Sequence, residues 1–385
     1  MSKVEGKIET KAKSKAKSKI EHSPSYKLSA SSHNLILDLK GRMWAFGGED
    51  YEDIGFYYAG LKPKHLYKEW QFKDVAAGVI HDLAISTDGR LWAFDKESAS
   101  GGLLVQVLKG EKFMSVSTNS GRTLAIRADG SLLAFGYKFG ATEKGITTFN
   151  TLMENVSARI VNIKGSKNFS KISVGTSRSL VLDSRGNLFT WEHPGEAYDD
   201  EDDEGKPLAL KIVPQTIKGL KFKEISAGAA HCLAIDKGGN LWAFGKNRYG
   251  ELGNGTSVGS EIPILVQKGV KFKKVSAGRV HSLAIDISGN VWAFGYNSSG
   301  QIGDGTKDNN RLLPLKVTDK QNFVEVVASN DEFLWKTDTY SLAVESDGSL
   351  WGWGSNTCGQ LGLGKRTNIS NNRLVPTLIK VLSDE

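Results

Sequence analysis

The chain has 385 residues, of which 39% are hydrophobic and 24% are charged, a composition typical of a globular protein. Its two cysteines, Cys232 and Cys358, exclude a disulfide-stapled scaffold and favour a reducing compartment. The N-terminus lacks the apolar region of a secretory signal, and there is no apolar run of about 18 residues that predicts a membrane span.

The first residues carry most of the net charge of +7, because residues 1–21 hold seven lysines and three glutamates. Residues 1–25 contain almost no large apolar side chains and cannot offset the entropy of ordering, which predicts a disordered basic tail. Such a tail indicates binding to nucleic acid, chromatin or an anionic surface, nuclear import, or only a solubilising role. Its evenly spaced lysines are Lys11, Lys13, Lys15, Lys17 and Lys19.

After the tail, one motif recurs seven times, and its clearest copy is HSLAIDISGNVWAFG at residues 281–295. Two β-rich runs separated by a Gly-Asn turn predict a β-hairpin. The copies follow one another at intervals of 41 to 59 residues, which indicates a propeller or solenoid whose units cannot bury their apolar faces alone. They begin at His33, His81, Arg122, Arg178, His231, His281 and Tyr340.

Each unit also carries a strand before the hairpin, such as FKKVSAG at residues 272–278, and often a Pro-led strand after it, such as PILVQKG at residues 263–269. Four strands per unit is the number expected of a propeller blade. The sequence therefore predicts an all-β fold, a seven-bladed β-propeller of four-stranded antiparallel blades over residues 26–385. Because a closed ring removes sheet edges, we expect the N- and C-terminal units to pair and close it.

Strand alternation places two connections of every unit on one face, which we call the upper face. These are the turn before the hairpin and the glycine-rich loop after it, best formed at residues 245–256, 295–306 and 354–365. The hairpin turns and the start of the first unit, where the tail ends, then belong to the lower face. Loops on a rigid scaffold commonly carry binding, so the upper face is the candidate working surface.

Two insertions interrupt the repeat on the upper face, at residues 192–207 and 328–340. The first is either a solvated loop or a contact for a basic partner surface. The second either fills the central shaft or supplies an aromatic interface anchor. The candidate partner-binding residues are Asp199, Asp200, Glu201, Asp202, Asp203 and Glu204 in the first insertion, and Phe333, Leu334 and Trp335 in the second.

Four histidines, His33, His81, His231 and His281, occupy one repeat position. Equivalent positions form a ring too wide for one tetrahedral ion, so we expect no metal there. We also expect no cofactor. The histidines are predicted to be structural, with each imidazole hydrogen-bonded to backbone at a blade junction. The recurring tryptophans are assigned to the core. No catalytic Ser, Cys or metal motif is present, so no covalent enzyme chemistry is expected.

The combination VSAGxxHSLAI followed by GxxWAFGxNxxGQLG resembles the regulator of chromosome condensation repeat family over residues 26–382. The resemblance is strongest in units five to seven and weakest in units three and four, where Arg122 and Arg178 replace the histidine. It implies a seven-bladed propeller. The founding member of that family exchanges guanine nucleotide on the GTPase Ran and binds chromatin. Other members regulate other GTPases, serve in ubiquitin ligases, sense ultraviolet light, or act as bacterial effectors.

The resemblance implies a protein-interaction propeller that binds a small GTPase, with Ran or Rab types as first candidates, as a guanine-nucleotide exchange factor or other regulator. Two alternatives remain open: an adaptor for chromatin or another acidic partner without exchange activity, and a bacterial effector that targets host GTPases. We expect a monomer in the cytosol or nucleus, or in the host cytosol for an effector.

Overall fold

The computed structural model describes residues 25–31, 33–47, 60–78, 82–94, 104–119, 122–136, 159–160, 168–192, 212–213, 219–330, 339–368 and 371–382. Within these ranges the strands form seven four-stranded antiparallel sheets, each made of four strands that are consecutive in sequence. This arrangement confirms the predicted seven-bladed propeller. The described ranges contain no helix long and apolar enough to cross a lipid bilayer.

The first four blades run in chain order. Blade one contains β1 (Lys27–Ala30), β2 (Asn34–Leu37), β3 (Met43–Phe46) and β4 (Lys64–Leu66). Blade two contains β5 (Phe72–Ala76), β6 (Asp82–Ser86), β7 (Leu91–Phe94) and β8 (Leu104–Val107). Blade three contains β9 (Phe113–Asn119), β10 (Arg122–Arg127), β11 (Leu132–Gly136) and β12 (Arg159–Ile160). Blade four contains β13 (Phe169–Val174), β14 (Arg178–Asp183), β15 (Leu188–Glu192) and β16 (Ile212–Val213).

The last three blades have longer outer strands. Blade five contains β17 (Phe222–Ala227), β18 (His231–Asp236), β19 (Leu241–Gly245) and β20 (Ser260–Leu265). Blade six contains β21 (Phe272–Ala277), β22 (His281–Asp286), β23 (Val291–Gly295) and β24 (Arg311–Lys316). Blade seven contains β25 (Phe323–Ala328), β26 (Tyr340–Glu345), β27 (Ser349–Gly354) and β28 (Arg373–Val381). Each of these outer strands includes a proline, which lacks an amide donor and discourages pairing with another chain.

The first strand of every blade is innermost, and these strands contact one another around the propeller axis. Serine side chains join most of them: a backbone amide of the next blade donates to each serine Oγ at 2.8 to 3.0 Å. The Oγ atoms belong to Ser29, Ser117, Ser173, Ser226 and Ser276. Between blades two and three, Asp74 takes this role and accepts from the amide of Val116 at 3.0 Å.

The ring meets itself where blade seven contacts blade one. The two blades share an apolar cluster that includes Ile36, Phe46 and Leu361, all fully buried. Arg42 of blade one also donates from Nη2 to the carbonyl of Leu382 at 2.8 Å. No described strand crosses this seam, because every described sheet is built from consecutive strands. The two blades therefore meet through apolar packing and individual hydrogen bonds rather than through a shared sheet.

Candidate functional site

The upper-face loops of blades five to seven are each held by an asparagine, namely Asn247, Asn297 and Asn356. Each Oδ1 accepts the amide of the inward apolar residue, Leu252, Ile302 or Leu361, at 2.9, 3.1 and 2.9 Å. Each Nδ2 donates to a carbonyl farther along the loop, that of Thr256, Thr306 or Lys365, at 2.9, 3.2 and 2.8 Å. Buried polar groups satisfied in this way rigidify a loop, so the upper face of these blades is preorganised.

Each of these loops also lies on the outer edge of the next blade. The amide of Gly255 donates to the carbonyl of Leu312 at 2.8 Å. The equivalent bonds join Gly305 to Leu374 at 2.9 Å and Gly364 to Leu61 at 2.7 Å. The last of these bonds places the loop of blade seven on blade one. Each of these loops therefore contacts the next blade as well as its own.

The repeat histidines support the loops through hydrogen bonds relayed by a serine of the next blade. His281 Nε2 lies 2.9 Å from Ser341 Oγ, and that hydroxyl donates to the carbonyl of Gln301 at 2.8 Å. His231 and Ser282 repeat the arrangement at 2.8 Å. Because the hydroxyl proton goes to the carbonyl, the imidazole must be the donor. Burial lowers the pKa of His231 to about 4. Burial, together with the electrostatic influence of the His231 imidazole, lowers the pKa of His281 to about 3, so both rings are neutral near pH 7.

The histidine position has other partners in the remaining blades. His33 Nε2 lies 2.7 Å from Asp82 Oδ2, and Tyr340 donates to Asn34 Oδ1 at 2.8 Å across the seam. The sequence predicts backbone partners for the histidines, whereas Nε2 of His33, His231 and His281 contacts a side chain of the next blade. Sequence could not identify them, because the partner lies 49 to 60 residues away.

In blades one, four, five and six the hairpin on the lower face is built around an aspartate. In blade six, Asp286 accepts the indole Nε1 of Trp292 at 2.9 Å and the amide of Asn290 at 2.9 Å. Burial by itself would raise the pKa of Asp286, but these hydrogen bonds hold it below its ordinary value. The tryptophans were assigned to packing alone; the Asp six residues before the Trp was the signal for this second role.

A tyrosine pair lies on the upper face between blades five and six. The rings of Tyr249 and Tyr296 are 4.7 Å apart, and the guanidinium of Arg248 lies 5.6 Å from the Tyr249 ring centroid. We call these three residues the Arg–Tyr patch. Tyrosine and arginine are enriched among the residues that dominate protein interfaces. The patch was missed from the sequence because its members belong to the regular repeat and not to an insertion.

The junction between blades four and five differs from those that follow. Glu261 replaces the leucine found at Leu312 and Leu374, and Arg178, which replaces the histidine, donates to Glu261 Oε2 at 2.9 Å. The Arg178 guanidinium also lies 5.6 Å from the ring centroid of Phe244. Beside this ion pair is an open cavity of about 500 Å³, which we call the blade-five cavity. Two glycines line it together with Lys246, Asn247, Arg248, Ser257 and Glu261.

Most of the site residues predicted from sequence lie outside the described residues and remain predictions. They are His81, the acidic run from Asp199 to Glu204, the aromatic residues Phe333 to Trp335, and the lysines of the tail. The structure describes the strands from which both insertions leave: β15 ends at Glu192 and β25 ends at Ala328. Within the described ranges, no group of three or more His, Cys, Asp or Glu side chains is arranged to hold a metal ion.

Similarity to known proteins supports the fold and adds a family. The RCC2 homolog of Xenopus laevis is 33% identical over 235 residues, which cover 51% of this chain and 45% of that protein. The human E3 ubiquitin-protein ligase HERC2 is 27% identical over 260 residues, which cover 62% of this chain and 5% of HERC2. The chain thus spans less than half the length of these relatives.

Two solved structures of the yeast protein RCC1 (Prp20) superpose on the propeller with TM-scores of 0.68 and 0.66, at 19% identity. They cover 98% and 93% of this chain, and 92% and 88% of the yeast chains. One is of Prp20p from Saccharomyces cerevisiae, described with its binding to Gsp1p and histones. A model of the RCC1-like domain matches residues 95–385, which is most of the sequence. This chain therefore belongs to the RCC1-like domain family.

Proposed function

We propose that this protein binds a small GTPase of the Ran or Rab type through its upper face and acts as its guanine-nucleotide exchange factor or regulator. The observation that carries the proposal is the preorganised upper face of blades five to seven. There the Arg–Tyr patch, with an exposed Arg248 and half-buried Tyr249 and Tyr296, lies on loops that asparagine and histidine contacts hold in place. Rigid loops lose little conformational entropy on binding, which favours a tight complex. The related yeast Prp20p binds Gsp1p and histones, which supports a protein partner.

Exchange requires no covalent chemistry. A protein that binds the nucleotide-free GTPase better than the loaded form shifts the population toward nucleotide release. A preference of about 10⁴-fold reverses a 1:99 equilibrium to 99:1. In this proposal the Arg–Tyr patch anchors the GTPase, while Asp199 to Glu204 or Phe333 to Trp335 disturb its phosphate and magnesium site.

The test is release of a fluorescent GDP analogue from Ran, Rab, Rho and Arf GTPases with and without this protein. We expect acceleration for one GTPase, and a loss of about tenfold or more when Tyr249 and Tyr296 are both changed to alanine. The matched control is Ile287→Ala, because Ile287 is 65% exposed on the lower face. No acceleration and no stable complex with any nucleotide-free GTPase would rule the proposal out.

The basic tail and the histone binding of yeast Prp20p favour a second candidate, an adaptor for chromatin or another acidic partner. Deleting residues 1–25 then weakens DNA binding and reduces its salt dependence, because fewer phosphates are neutralised. The same deletion leaves nucleotide exchange intact if the GTPase binds the upper face. Loss of exchange on deletion would contradict the assignment of the tail and the GTPase to opposite faces.

A further inference from the structure

Within the described residues, the outer edge of blade five shows no loop contact of the kind that its successors share. The amides of Gly255, Gly305 and Gly364 each bond to a carbonyl on the next blade, which ties blade five to six, six to seven and seven to one. On blade five, Glu261 occupies the position that Leu312 has on blade six, where the Leu312 carbonyl accepts the loop amide of Gly255. The Glu261 side chain is 77% exposed. The blade-five cavity opens beside this position.

The charges of the cavity favour an anionic ligand. Lys246 and Arg248 are both exposed, and neither forms an ion pair within the part of the chain that the structure describes. Glu261 is the one carboxylate among the lining residues, and Arg178 holds it at 2.9 Å. Two cations thus line the cavity without an ion-pair partner among the described residues, which is the electrostatic complement of a carboxylate-bearing segment.

The backbone that carries the two cations is fixed. The amide of Lys246 donates to the carbonyl of Ala230 at 2.9 Å. Asn247, between the cations, is buried, and its Nδ2 donates to the carbonyl of Val258 at 2.9 Å. Ordering the loop therefore adds little to the entropy cost of binding.

Two exposed apolar residues adjoin the lining residues in sequence. Val258 lies between two lining residues and is 71% exposed, and Ile262 follows Glu261 and is 67% exposed. A ligand with carboxylates alone would leave these side chains in water. A peptide that combines acidic and apolar residues buries them while it pairs with the cations.

We propose that the blade-five cavity binds an acidic peptide segment of a partner protein, with carboxylates paired to Lys246 and Arg248 and an apolar side chain against Val258 and Ile262. The site shares the upper face and Arg248 with the proposed GTPase contact, but peptide binding does not depend on the GTPase. Binding of a peptide is measured without any GTPase, so failure of one proposal is distinguishable from failure of the other.

The experiment measures fluorescence anisotropy of a labelled peptide that alternates glutamate pairs with leucine, beside its glutamine counterpart. We expect the acidic peptide to bind and added salt to weaken it. The double change Lys246→Ala with Arg248→Ala weakens binding roughly fivefold or more, since two ion pairs are lost. Glu261→Gln strengthens binding, because it removes the carboxylate that repels the ligand and that occupies Arg178.

The matched control changes Lys237 and Lys268 to alanine, two exposed lysines of blade five on the lower face, and leaves binding unchanged. The proposal is overturned if the Lys246/Arg248 and Lys237/Lys268 double variants bind the acidic peptide with equal affinity. It is also overturned if the wild-type protein binds the glutamine peptide as well as the acidic one. A further variant replaces residues 199–204 with serine. If peptide binds only to that variant, the acidic run of this chain occupies the cavity, and a partner peptide is not the ligand.

Discussion

The buried histidines predict a specific acid sensitivity of the fold. Burial lowers the pKa of His231 from 6.5 to about 4 and that of His281 from 6.5 to about 3. In the unfolded chain both rings gain a proton as the pH falls through 6.5, whereas in the folded protein they stay neutral until the lower values are reached. Their contribution to stability is therefore complete above pH 6.5 and is lost as the pH falls from 6.5 toward 4 and 3.

The size of the effect follows from the pKa difference. At pH 5 the pH is 1.5 units below the unfolded pKa of 6.5, so each histidine of the unfolded chain is almost fully protonated. The same histidines of the folded protein remain almost entirely neutral. Each histidine then lowers the free energy of unfolding by about 2 kcal/mol between pH 7.5 and pH 5. The two together account for about 4 kcal/mol, a large part of the stability of an ordinary domain.

Urea unfolding at pH 7.5 and pH 5 tests this reasoning with His281→Gln, which keeps an amide donor near Ser341 but cannot titrate. The variant is less stable than the wild type at pH 7.5, yet it loses about 2 kcal/mol less on going to pH 5. Carboxylates titrate in both proteins and cancel in the comparison. Equal losses in the two proteins would show that His281 is not kept neutral by burial.

Three further substitutions test the contacts that hold the blades, each by the change in the free energy of unfolding. Ser341→Ala leaves the His281 donor unsatisfied and costs about 1–3 kcal/mol; an unchanged stability would show that the relay is not formed. Gly250→Ala costs about 1 kcal/mol or more, because Gly250 has a φ of 90° and its Cβ would lie 2.7 Å from Leu312 Cδ2; a neutral result would contradict the close approach. Trp292→Phe costs about 1 kcal/mol through the lost bond to Asp286, and it should add little to Asp286→Ala, since both remove the same contact.

Contacts across the ring explain why part of the site was not predictable. The Arg–Tyr patch joins Tyr249 to Tyr296, which lie in different blades, and the blade-five ion pair joins Arg178 to Glu261 across 83 residues. The local sequence around one residue of such a pair does not identify the other residue. The insertions were visible because they break a period, whereas these residues sit within regular units and become neighbours only through the stacking of blades.

The sequence by itself determined the local units of this protein. Alternation of apolar residues sets each strand, and Asp286 and Trp292, six residues apart, close a hairpin within one stretch of chain. The spacing of the copies set the number of blades, and strand direction set which loops share a face. The tertiary structure decided what those loops contact: His281 with Ser341, Gly364 with Leu61, and Glu261 with Arg178. The physical reason is that hairpins depend on interactions within a few residues, whereas blade junctions depend on side chains about one repeat or more apart that meet only when the propeller is assembled.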